Sequence, residues 1–169
     1  MVKPAEAAAI EMREQTLVAD EGVTKLPIDL HKIADDLGVE IKYADLKPNI
    51  DGFILRESGK NACIYVNQNH NEHRKRFTIA HELGHYWDHR DDQGEYGYVD
   101  YRNEMSSTGR DPKERYANSF AAELLMPAKY ILVAWARGDS IKKLRKTLNV
   151  SEAALGHRLI NLGLLGDAH

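Results

Sequence analysis

The chain has 169 residues, 43% of them hydrophobic and 29% charged, with a formal net charge of −3 at neutral pH. That length and balance suit one soluble globular domain with a core of its own, and the slight acidity removes any electrostatic ground for non-specific nucleic-acid binding. A single cysteine, Cys63, excludes an internal disulfide framework, and no apolar run approaches the ~20 residues that span a bilayer.

Glu6, Glu11 and Arg13 interrupt any long apolar region at the start, so no signal peptide is read there and a cytoplasmic location is expected. Residues 4–20 read as an amphipathic helix with Pro4 near its first turn. A second helix, about residues 28–37, is introduced by Pro27 and stopped by Gly38. The period then changes to two: residues 39–43, 52–56 and 62–66 read as short strands, the last two joined as a hairpin. The expected fold class is therefore α+β, a small antiparallel sheet of about three strands packed against a mainly helical domain. A long helix follows from about Asn71. Residues 91–110 are polar, rich in tyrosine and without clear period, and are expected to form a long loop. Asp111-Pro112-Lys113-Glu114 opens a helix that runs to Met126, and another occupies 128–136. Residues 141–162 have a helix-turn-helix outline with Ser151 as the second N-cap and a basic first helix. Many helix pairs share that outline, and direct nucleic-acid binding is not expected from it. The chain is thus one domain, 1–169, with an N-terminal helix in 1–23, a central part in 24–136 and the helix pair in 137–169.

The chemistry concentrates in Phe77–Trp87, which contains His81-Glu82-Leu83-Gly84-His85. On a helix, residues four apart stand one turn above each other, so His81 and His85 can aim two imidazoles at one ion, with Glu82 beside them in reach of a water. At about 100° per residue, Phe77, Ile79, Ala80, Leu83, Gly84 and Trp87 form one apolar arc with both histidines on its edge. The plainer alternative is a pair of helical histidines that pack or face solvent.

A catalytic site of this kind needs a third protein ligand. The pattern that ends in a third histidine fails, because Asp88 and Asp91 hold its glycine and histidine positions. His89 would reach the ion only if the helix bent. The helix after Asp111 offers Glu114 and Glu123, about 180° apart by helical geometry. Glu114 shares a stripe with Ala117, Asn118, Ala121 and Leu125, which would let its helix approach the histidines closely, so Glu114 is preferred. Its alternative role is a capping-box glutamate serving its own helix end.

The two blocks Arg76–His85 and Glu114–Pro127 resemble the ImmA/IrrE family of metallopeptidases. The resemblance implies a compact gluzincin-like domain with His81, His85 and Glu114 as metal ligands and Glu82 as general base. It also implies a substrate, since family members are associated with cleaving helix-turn-helix repressors encoded beside them. One divalent ion is expected, zinc in the first instance, though two histidines and a glutamate also accept manganese. Tyr96, Tyr98, Tyr101, His89 and Arg110 are candidates for steadying an oxyanion. The rival reading is a non-proteolytic module that keeps the metal and acts by contacting a regulator, or touches DNA through residues 141–162.

Overall fold

Ile54, Ile64 and Val66 lose all contact with water because a long helix lies across the sheet that carries them. The computed structural model describes residues 4–16, 24–92, 94–101 and 111–166. In chain order these form α1 (Pro4–Thr16), α2 (Leu30–Leu37), β1 (Glu40–Ala44), β2 (Ile50–Arg56), β3 (Cys63–Asn67), α3 (Glu72–Asp88), β4 (Tyr96–Tyr101), α4 (Pro112–Leu125), α5 (Ala128–Ala136), α6 (Ile141–Leu148) and α7 (Glu152–Asn161).

The α+β class expected from the sequence is what the fold shows, and two details of the sheet differ. It has four strands in the order β1-β3-β2-β4, and β1 runs parallel to β3 in the register Ile41↔Ile64. The β2–β3 hairpin is antiparallel as expected, with Ile54 opposite Ile64. The fourth strand falls inside the stretch read as a loop: β4 pairs antiparallel with β2, with an irregularity between Ile50 and Gly52. Residues 102–110 of that stretch lie outside the described residues, as do residues 17–20 of the first helix.

Local chemistry accounts for the helix ends. Asp29 caps α2 by accepting from the Lys32 N–H, and Gly38 ends it at φ 69°, where a side chain would be strained. Asn71 caps α3 by accepting from the Arg74 N–H at 3.0 Å. Arg74 then grips Asp51 of β2 with two hydrogen bonds, 3.0 and 2.8 Å, which fixes the start of α3 over the sheet. Gly52 makes that approach possible, because a Cβ there would lie 2.5 Å from the Tyr65 carbonyl oxygen and 2.6 Å from Thr78 Cγ2.

On its other side α3 packs against α4. Gly84 is the point of contact: a Cβ there would meet the Ala117 Cα at 3.2 Å and the Phe120 ring at 3.1 Å. Ala80, Leu83, Ala117, Phe120, Ala121 and Leu124 are sealed along this seam. Helix α1 adds Ala5, Ala9 and Met12 to the same core. No single described helix is long and apolar enough to cross a membrane.

Candidate metal centre

The close seam at Gly84 brings the N-terminal half of α4 alongside the C-terminal half of α3. His81 and His85 are each 2% exposed, and Glu82 between them is fully buried. Asp111 caps α4 by accepting from the Lys113 N–H at 2.8 Å, with Pro112 in the first turn. Glu114 is free of that task. Its carboxylate turns across the seam, with Oε2 3.1 Å from His81 Nε2 and Oε1 3.1 Å from His85 Nε2.

The two Nε2 atoms stand 3.1 Å from each other as well. Asn118, one turn beyond Glu114, sets the tautomer: the Nδ1–H of His81 donates to Asn118 Oδ1 at 2.9 Å. A proton on the Nε2 of His81 would then make that ring an imidazolium facing a second ring nitrogen. One shared cation satisfies all three contacts at once. The separations fit, since a tetrahedron with its centre about 2.0–2.1 Å from each nitrogen or oxygen has edges of roughly 3.3 Å. Contact with His81, and then with His85, holds the Glu114 carboxyl well below the usual carboxylate range despite its partial burial. Among the described residues, His81, His85 and Glu114 are the group able to hold a metal ion, with ligand atoms within 4.8 Å of one another.

Other candidates from the sequence fall elsewhere. His89 closes α3, where its Nδ1 lies 2.7 Å from Asp92 Oδ2 and its Nε2 3.6 Å from Asp88 Oδ2. Tyr96, Tyr98 and Tyr101 belong to β4 and their side chains lie outside the described residues, as does Arg110. Glu123, the rejected third ligand, is 3% exposed on the far side of α4. There it takes a hydrogen bond from Arg13 at 2.8 Å, another from Arg158, and a third from the Ala128 N–H at 3.2 Å. Asn118, expected only as a small member of the Glu114 stripe, adds a contact to His81 beyond that expectation. Its position one turn from Glu114, facing the histidines, was the available signal.

A helix presenting two imidazoles and a buried glutamate, opposed by a carboxylate from the next helix and backed by a small sheet, defines a metallopeptidase-like domain. The chain belongs to the Peptidase_M78 family, the IrrE N-terminal-like domain, whose model matches residues 34–160. Its fold is similar to that of a Mycobacterium tuberculosis transcriptional regulator, with a TM-score of 0.58 at 19% identity over 94% of this chain. The match covers 47% of that regulator, so the present chain spans about half its length. No curated protein matches the sequence.

Proposed function

We propose that the protein is a metal-dependent endopeptidase whose substrate is a helix-turn-helix transcriptional repressor. The observation that carries the reading is the three-residue cluster, two Nε2 atoms and a carboxylate at mutual 3.1 Å separations, with Glu82 buried next to it. His81, His85 and Glu114 would hold the ion, and nitrogen and carboxylate donors of this kind favour zinc. When bound, a divalent ion supplies Lewis acidity toward a water and toward the scissile carbonyl.

The chain's own residues do the rest. Asn118 keeps the Nδ1 of His81 protonated, which leaves the Nε2 lone pair for ligation. Glu82 is the general base: it accepts a proton from the attacking water as the water oxygen adds to the carbonyl carbon. It then delivers that proton to the leaving nitrogen as the C–N bond breaks. Burial suits the task, because a carboxylate shielded from solvent exchanges its proton with the reacting atoms rather than with bulk water. The repressor as substrate is supported by the family's association with such regulators.

The test compares wild type with Glu82→Gln, both zinc-loaded, against helix-turn-helix repressors from the same genome, with products read by mass spectrometry. Wild type should cut at one defined bond and Glu82→Gln should be slower by about 10²–10⁴-fold at equal metal content. Equal cleavage by both forms would remove Glu82 from the mechanism. Cleavage by neither, with metal in both, would favour the non-proteolytic module.

A further inference from the structure

Helices α3 and α4 face each other in successive rungs. At one rung His85 meets Glu114, and at the next His81 donates to Asn118. The third is Phe77 and Ala122, each four residues further along its helix, a rise of about 6 Å. Here the seam opens. Together with α7, the two helices border a cavity of about 330 Å³ lined by Phe77, Ala122, Met126 and Ala154, with His157, Arg158 and Asn161 completing its α7 side. The volume lies at the small end of the range for binding sites and admits one large side chain.

The wall supplied by α7 is fixed by a buried arginine. Arg158, 3% exposed, donates its Nε to the Met126 carbonyl at 3.1 Å and reaches Glu123 through Nη2. The helix in the position of a DNA-reading helix therefore turns its arginine inward and ties itself to the end of α4. On the preceding helix, Lys143 and Arg145 are paired with Asp139 and Glu152, at 2.8 and 2.9 Å.

We propose that this cavity receives a large apolar side chain of the polypeptide substrate, one or two residues from the bond that is cut, and that Ala122 and Ala154 determine that preference. The inference rests on the peptidase reading and adds the class of substrate to it. The cavity's place one rung from the His81–Asn118 contact, on the same stripes of α3 and α4, names the occupant. A rise of about 6 Å along the same helical stripe is one to two residues of extended chain, at roughly 3.3–3.6 Å each. Phe77, Ala122, Met126 and Ala154 give the lining phenyl, methyl and thioether groups, which reward an apolar side chain, and the one guanidinium in it, Arg158, is already engaged by the Met126 carbonyl and Glu123.

Two variants fill the cavity from opposite sides, Ala154→Leu and Ala122→Leu, both with residues that helices accept readily. Zinc-loaded wild type should cut a mixed peptide library with a large aliphatic or aromatic residue at one fixed place within two residues of the bond. Either variant should reduce those products at least ten-fold relative to alanine-containing ones, at equal metal content. A second readout needs no turnover: N-acetyl-leucinamide titrated into the protein should shift the Met126 methyl resonance, N-acetyl-alaninamide should not, and Ala154→Leu should abolish the shift. An unchanged preference in both folded variants, or a Met126 methyl blind to the leucine probe, overturns the proposal. A shifted methyl with no cleavage of any peptide would sink the hydrolase reading while upholding the cavity's selectivity for large apolar groups.

Discussion

Helix α4 carries a buried glutamate and a half-buried one on opposite faces, and their surroundings differ in kind. Glu123 faces Arg13 and Arg158, whose guanidinium groups can only donate, and accepts from the Ala128 N–H as well. Its charge and its lone pairs are answered inside the fold. Glu114 faces two imidazoles, which are as ready to offer a lone pair as a proton. A cation shared among the three would answer its charge. One carboxylate completes the protein's structure, and the other stands with two histidines in a group that could hold a metal ion.

The comparison breaks most visibly at Glu123. Glu123→Ala takes their shared carboxylate from the part-buried Arg13 and the buried Arg158, which keeps Glu6 at 3.3 Å, and should cost about 3–5 kcal/mol, read as a lower urea midpoint. Zinc binding should survive the change wherever the variant is folded. A loss under about 1 kcal/mol would mean that water reaches the arginines and that the cluster is not structural. Glu114 should behave in the opposite way. Zinc at about 100 times its dissociation constant should raise wild-type stability by about 2.7 kcal/mol, and Glu114→Gln, melted with and without zinc, should gain far less. Equal zinc stabilisation in both would take Glu114 out of the ligand set.

The same contrast marks what the sequence could reveal. His81, His85 and Glu114 were legible because two of them obey a helical interval and the third follows from a stripe of small residues on a second helix. The role of Glu123 was not, because its partners lie 110 and 35 residues away and no local period points to them. The α+β class was legible from the change of period at Val39. The parallel pairing of β1 with β3 was not, since alternation says which face a strand buries but not which neighbour it joins. The strand Tyr96–Tyr101 was hidden by its polar flanks and Gly97. Its pairing with the outer edge of β2, with Gly97 opposite Leu55, is a tertiary choice that no local pattern announces.

Asn118 sharpens the account of the metal centre. Asn118→Ala removes the acceptor that orients His81 and should weaken zinc binding about 10–100-fold, measured by competition with a chromophoric chelator. Asn118→Asp keeps an acceptor at that place and should recover most of the affinity. Identical affinities in all three proteins would reduce the hydrogen bond to a packing detail.

The smallest effect belongs to a third carboxylate, covered by two exposed partners. Asp139 lies between Arg137 and Lys143, at 2.5 and 2.8 Å, and both partners are more than half exposed. The hydrogen bond from Arg137, and then that from Lys143, lowers its carboxyl from an ordinary 3.8 to about 2. Because the folded value is the depressed one, the stabilisation is fully present above pH 3.8 and is lost as pH falls toward about 2. The melting difference between wild type and Asp139→Asn should therefore be small and constant near neutrality and shrink only in that acid window. Solvent screening keeps it small, unlike the loss at Glu123, where the same types of charge meet out of water. A difference that stays constant down to about pH 2 would mean that the two exposed partners do not hold Asp139 in solution.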